Sequence, residues 1–184
     1  CLHMKHFTRI LLTLCLPGLL WPTIAPAQTL GDESLSGDYH FVHLLVSVSL
    51  DQTVTDARNL GGTITFDGAG SFTYSGRLGS GAGAPAPSMG AGVYSVQSNG
   101  FVTLTNPIAA GLEINARLGE GSEALIGSST EAADGSADLF IAIKAPPGTA
   151  SSATLSGAYT GSTLALPGGS DASITSALLR MQAN

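Results

Sequence analysis

Histidines, carboxylates and large aromatic side chains are the groups in this chain able to do chemistry, and their spacing limits what that chemistry is. His40 and His43 are the only histidines beyond the first 27 residues. Three apart on an extended segment, they point to opposite faces and cannot pinch one metal ion without a bulge between them. Zinc would need further ligands, and that part of the chain holds neither a third histidine nor a cysteine. No metal and no cofactor is expected, and both histidines read as interfacial or partly buried side chains. Asp67, Asp134 and Asp138 invite a calcium site. Yet Asp67-Gly68 and Asp134-Gly135 are what tight hairpins need, and no D-x-[DN]-x-[DN]-G run occurs. Glu113, Glu120, Glu123 and Glu131 could converge as the paired carboxylates of a glycosidase, although Glu120 and Glu123 flank a turn, where solvated acids are ordinary. Nucleophilic catalysis has less support still. There is no G-x-S-x-G, and a Ser-His-Asp set would have to draw its base from two histidines on one strand. No catalytic residue is assigned, and the chain reads as a non-enzyme.

The aromatic residues leave a second option open. Tyr39, Phe41, Phe66, Phe72, Tyr74 and Tyr94 either wall a ligand cavity or supply the bulk that a chain with 6% aromatic residues needs for its core. Phe66, Tyr74, Tyr94 and Ile114 are the residues that would line such an interior.

The elements that must position these groups are short and extended. Between residues 61 and 143, alternating segments are closed by turns such as Asp67-Gly68-Ala69-Gly70, Ser98-Asn99-Gly100 and Ala133-Asp134-Gly135-Ser136. Strands alternate their side chains between two faces, and Asn-Gly or Asp-Gly supplies the positive φ angles of a hairpin. Eight strands are expected, at about 39–50, 62–67, 71–77, 92–98, 101–106, 111–118, 123–130 and 137–144. An even-stranded antiparallel meander can pair its first strand with its last and remove its open edges. The predicted fold is all-β, an eight-stranded antiparallel up-and-down meander barrel, calycin-like by analogy, followed by a truncated second β unit. Such a barrel is filled by side chains or holds one small ligand. Phe66, Phe72, Tyr74, Tyr94, Leu104, Ile114, Ile126, Leu139 and Ile141 are the expected interior. Tyr39, Phe41, His43 and Leu45 share one face of the first strand, with Val42, Leu44, Val46 and Val48 on the other, so that strand is expected to be covered on both sides. Residues 51–60 read as a polar connection. Residues 79–87, rich in Gly, Ala and Pro, read as a flexible surface loop rather than a phosphate-binding loop, because a strand and not a helix follows.

Composition agrees with turns and strands under a weakly charged surface. Charged residues make up 11% of the chain, and 24 of its 184 residues are glycine. Lys5 and Arg9 lie near the start, so five basic residues face thirteen acidic ones after residue 27, a net charge of −8. That balance gives no purchase on nucleic acid or on anionic lipid.

The start of the chain reads as an export signal. The basic stretch from Met4 to Arg9 precedes an apolar run over residues 10–16, Pro17-Gly18 breaks it, and Ala25-Pro26-Ala27 supplies small residues for a peptidase. Cleavage is expected between Ala27 and Gln28, with Cys1-Leu2-His3 lying upstream of the natural start. A membrane anchor would need ~20 apolar residues, and Leu14 is too bulky for a lipoprotein box at Cys15. The product, secreted or held at the cell surface or in the periplasm, would carry no cysteine and no stable membrane span. Its stability would then rest on its core and its ladders.

The organisation that follows is a mobile lead-in at 28–34, a barrel at 35–145, a linker at 146–154 and an incomplete second repeat at 155–184. Leu155-Ser156-Gly157-Ala158-Tyr159 repeats Leu35-Ser36-Gly37-Asp38-Tyr39 at a spacing of 120 residues. This L-S-G-x-Y opening, with Thr65-Phe66-Asp67-Gly68-Ala69-Gly70 and Gly92-Val93-Tyr94-Ser95-Val96 ahead of Asn99-Gly100, resembles β-repeat units of uncharacterised secreted proteins of acidobacterial type. The resemblance covers about residues 35–184. It implies bacterial, secreted β units that often precede a C-terminal immunoglobulin-like domain, and it lends no catalytic residues. A reading frame cut short is the expectation for the second unit. The function expected is that of a non-enzymatic module with a structural or surface-interaction role, with a cell-surface partner. A barrel holding a small apolar ligand is the alternative.

Overall fold

A computed structural model describes residues 29–51, 53–81, 83–129, 135–148, 156–165 and 175–183. The leader with its Ala27/Gln28 junction, Glu131, Asp134 and most of the 146–154 linker lie outside these. Eight strands form one closed antiparallel barrel in sequence order: β1 (Ser36–Val48), β2 (Val54–Asp67), β3 (Ser71–Ser80), β4 (Ala86–Val96), β5 (Phe101–Thr105), β6 (Glu113–Leu118), β7 (Ala124–Ser128) and β8 (Ser136–Lys144). Closure is made by β1 against β8, from Tyr39 opposite Lys144 to Ser47 opposite Ser136. No barrel strand is left with a whole unpaired edge, the outcome an even-numbered meander permits. Among the described residues no helix is long and apolar enough to cross a membrane.

Three local expectations are corrected. Residues 54–60, expected in a connection, are strand, because the 13-residue β1 needs a partner along its whole length and β2 supplies it from Val54 to Asp67. The Gly- and Pro-rich loop is shorter than expected, with β3 running to Ser80 and β4 resuming at Ala86. Gly90 and Gly92 lie under aromatic rings there: a Cβ on Gly90 would come 2.8 Å from the Tyr74 ring, and one on Gly92 would collide with Phe72. The rings cover backbone that a side chain would otherwise fill. Pro87 is tolerated because β4 pairs with β5 only over 94–96, which leaves the strand an edge at that level. Thirdly, Asp32–Ser34 is not a loose lead-in but one 3-10 turn tied to the barrel, with the Val96 N–H donating to Asp32 Oδ1 at 2.6 Å.

The core is the barrel interior. Tyr39, Phe41, His43 and Leu45 of β1 point inward and are buried, whereas Val42 is 52% exposed. The second face is covered only in part: Leu44, Val46 and Val48 are half-buried and Val42 is bare. Phe66, Phe72, Tyr94, Leu104 and Ile114 are buried as expected, and Tyr74 packs half-buried against them. Ile126, Leu139 and Ile141 face outward instead, and Leu125, Phe140 and Ala142 take the inward positions. Paired residues on antiparallel strands share a face, and Phe140 lies opposite His43 while Ile141 lies opposite Val42. A one-residue difference in phase thus moves every side chain of β8 to the other face.

Beyond the barrel, β9 (Gly157–Ala165) and β10 (Thr175–Ala183) form a separate antiparallel hairpin. Its Tyr159 lies opposite Met181 much as Tyr39 lies opposite Ile64, and Gly37 and Gly157 both adopt positive φ, +88° and +99°.

Candidate functional site

The two ends of the barrel are finished differently. At the end where β1 begins, aromatic rings meet edge to face: Phe66 lies 5.4 Å from Tyr39 and 5.1 Å from Tyr94, at interplanar angles of 88° and 85°. The Tyr94 hydroxyl is 2.8 Å from the Leu35 carbonyl and 3.1 Å from that of Asp32, and Tyr39 donates to the Ser122 carbonyl at 2.7 Å. Burial and the nearby Glu123 carboxylate push the Tyr39 phenol up to about 12, and burial raises Tyr94 as well. Phe66, Tyr94 and Ile114 thus lie together in one packed cluster, with Tyr74 at its margin and its hydroxyl on the Pro107 carbonyl at 3.2 Å. They occupy the interior themselves.

The other end holds a polar cluster. Asp138 on β8 takes the inward position that pairs with Leu45. Its Oδ2 accepts from His43 Nε2 at 2.8 Å, Ser129 Oγ at 2.9 Å and Asn106 Nδ2 at 3.0 Å, while its Oδ1 accepts the Ser129 N–H. Asn106 Nδ2 also donates to Ser129 Oγ at 2.8 Å, and its Oδ1 accepts from the N–H groups of Ile108 and Ala109. One carboxylate therefore ties together β1, β8, the end of β7 and the turn that leads into β6. A buried carboxylate is tolerable only with such a set of donors. Arg58 and Asp56 pair at 2.6 Å at the same end, half-buried, with the Arg58 guanidinium reaching the Ile108 carbonyl at 3.4 Å.

His43 is the group of most chemical interest here. Its side chain is 0% exposed and packs edge-on against Phe140 at 5.7 Å. Burial lowers its pKa below the ordinary 6.5, against an opposing pull from Asp138. The neutral ring with its proton on Nε2 satisfies Asp138, and Nδ1 is then buried with no hydrogen-bond partner among the described residues. Ser129 hydrogen-bonds the acid and not the histidine, so the nucleophile-to-base contact that acyl transfer requires is not made. The arrangement acts as a clasp that fixes loops across the barrel end.

The remaining sequence candidates are dispersed. His40 is exposed on the face opposite His43. Asp67 Oδ1 accepts from the N–H groups of Ala69 and Ser71 at 2.8 and 2.9 Å, which lowers its pKa and shapes the β2–β3 turn. Glu113, Glu120 and Glu123 are exposed. Among the described residues no three His, Cys, Asp or Glu side chains come together as metal ligands would. Among the described residues, hollows of about 470 and 400 Å³ open on the outer surface of the barrel, and one of about 380 Å³ on the β9–β10 hairpin. The first is lined by Thr65, Thr73, Ala91 and Val93, the second by Leu30, Glu33, Gly119 and Lys144.

Sequence reasoning missed the clasp. Its signal was polar residues on the inward face of β1 and β8, His43 and Asp138 with the hydrogen-bonded Ser47 and Ser136 beyond them, which the β1–β8 pairing brings together. Comparison with protein-family models, with curated proteins and with solved structures finds no match.

Proposed function

We propose that this chain is an exported, non-enzymatic β-barrel module that acts through its outer surface, spacing or displaying other units or engaging a cell-surface partner. The observation that carries this reading is the filled interior. Phe66, Tyr94 and Ile114 are buried against one another and their neighbours, at the positions an apolar ligand would occupy. The buried clasp supports it too, because the His43 side chain is 0% exposed and that of Asp138 2%, which leaves a substrate almost no surface to meet. The basic and apolar segments with Ala25-Pro26-Ala27 support export. The shared register and glycine conformation of the β1–β2 and β9–β10 hairpins support a repeated unit.

The test is native mass spectrometry of the protein recovered from the exported fraction, with N-terminal sequencing of the same sample. A polypeptide beginning at Gln28 and free of any retained small molecule is expected. A stoichiometric apolar molecule, released on denaturation, would replace this reading with that of a ligand carrier. An intact leader or a lipidated Cys15 would remove the export half of the proposal.

A further inference from the structure

The outer wall of the barrel is not uniform. On β2 and β3 it carries Thr65, Thr73, Ser75 and Arg77. Across β1, β8 and β7 it carries an apolar stripe instead. Val42 lies beside Ile141, and Ile141 beside Ile126, in register across the three strands, with Leu139 and Ile143 to either side on β8. All five are exposed, Ile143 to 57%. Neighbouring strands are ~4.8 Å apart, so these side chains form one contiguous surface rather than scattered apolar residues.

A second bare apolar face lies on the same chain. Tyr159 pairs with Met181 and Gly161 with Leu179, which puts Tyr159, Met181 and Leu179 on one face of the β9–β10 hairpin. Met181 and Leu179 are 57% and 43% exposed. The corresponding pair of β1–β2, Tyr39 and Ile64, is fully buried in the barrel. A two-stranded hairpin is at best marginally stable in water until such a face is covered.

We infer that the β9–β10 hairpin docks through Tyr159, Leu179 and Met181 onto the Val42–Ile141–Ile126 stripe, so that the barrel wall is the surface on which the hairpin is stabilised. The tether favours this occupant over any free partner. The twelve residues 145–156 separate Lys144, which ends the strand carrying Ile141 and Ile143, from Gly157, which starts the hairpin. A connection of that length reaches at most ~40 Å. It holds the hairpin near the stripe at an effective concentration on the order of millimolar. The stripe itself carries no charge; Arg117, which borders it beside Ile126, is held by the Asn99 carbonyl and the Phe101 ring, and Arg180 lies on the opposite face of the hairpin. This inference does not depend on the proposed module function.

Hydrogen exchange on the whole exported chain tests it, comparing the parent with an Ile141→Lys/Ile143→Lys variant and a Leu179→Ser/Met181→Ser variant. Both substituted pairs are exposed, and amide protection of β1–β8 reports directly whether the barrel is intact. Exchange over 157–165 and 175–183 is expected to be at least about 10-fold faster in both variants, with β1–β8 unchanged. As a second reading, a Met181→Cys/Ile141→Cys pair should cross-link within one chain faster than Met181→Cys/Thr73→Cys, whose second cysteine is on the polar wall. Equal hairpin exchange in all three proteins, or equal cross-linking of the two cysteine pairs, overturns the inference. So does a parent that is dimeric by light scattering and becomes monomeric with Ile141→Lys/Ile143→Lys, because a second copy would then be the cover.

Discussion

The His43 imidazole and the Asp138 carboxylate meet 2.8 Å apart inside the barrel, from residues 95 positions apart in the chain. Their contact crosses the β1–β8 seam, the pairing that turns an open meander into a closed barrel. The clasp is thus placed where closure is decided, and two loops at that end are tied to it through Asn106 and Ser129.

Replacing Asp138 by leucine leaves the donors of His43, Asn106 and Ser129 without their acceptor in a buried site. A loss of about 3–5 kcal/mol is expected, as for breaking one partner of a buried pair. Chemical denaturation of Asp138→Leu against the parent measures it. A loss under about 1 kcal/mol would mean that the cluster is incidental to stability.

The same histidine sets a pH dependence. Its folded pKa lies below 6.5, so the unfolded chain takes up a proton first as the pH falls. Folding stability is therefore expected to decline as pH drops below about 6.5, and to stop declining on this account once the folded ring also protonates. Asp67 adds a decline at lower pH, since its hydrogen-bonded carboxylate has a pKa below 3.8 and its contribution is lost as it protonates. Thermal melts between pH 7 and pH 5 should show the first decline in the parent and a flatter profile in His43→Gln.

The fold was legible where pattern and turn chemistry agree. Asp67-Gly68 and Asn99-Gly100 mark real turns, and the even strand count led directly to closure of β1 on β8. Phe66, Phe72, Tyr94, Leu104 and Ile114 were legible as interior because each alternates with polar or smaller neighbours along its strand. In β8 that logic inverts. The outward set Leu139, Ile141, Ile143 is richer in aliphatic residues than the inward set Asp138, Phe140, Ala142, so hydrophobicity alone selects the wrong face. The inward choice is settled by partners on β1 that a single strand does not reveal. Asp138, whose residue type invites a calcium site, is instead the centre of a polar cluster within the barrel.

The register of β8 is testable by neighbouring truncations. Phe140→Ala should cost about 3–5 kcal/mol, because the ring is fully buried and stacks on Phe41 at 5.8 Å. Leu139→Ala, on the exposed face, should cost under about 1 kcal/mol. The reverse order would put β8 one residue out of phase.

Limited proteolysis separates the two parts of the chain. Cleavage within 146–154 is expected to leave residues 35–145 folded, since the barrel closes without β9 or β10. A cut there that unfolds the barrel would make the C-terminal hairpin part of the same core.

The central claim is that the barrel is filled inside and acts outside, and methyl NMR during titration with medium-chain fatty acids addresses both surfaces in one spectrum. Ile64, Leu104 and Ile114 report on the interior, Ile126, Ile141 and Ile143 on the outer wall. The interior methyl signals are predicted to stay fixed throughout, with any shifts confined to the outer set. Saturable movement of the Ile64, Leu104 and Ile114 signals at one ligand per chain would contradict the account.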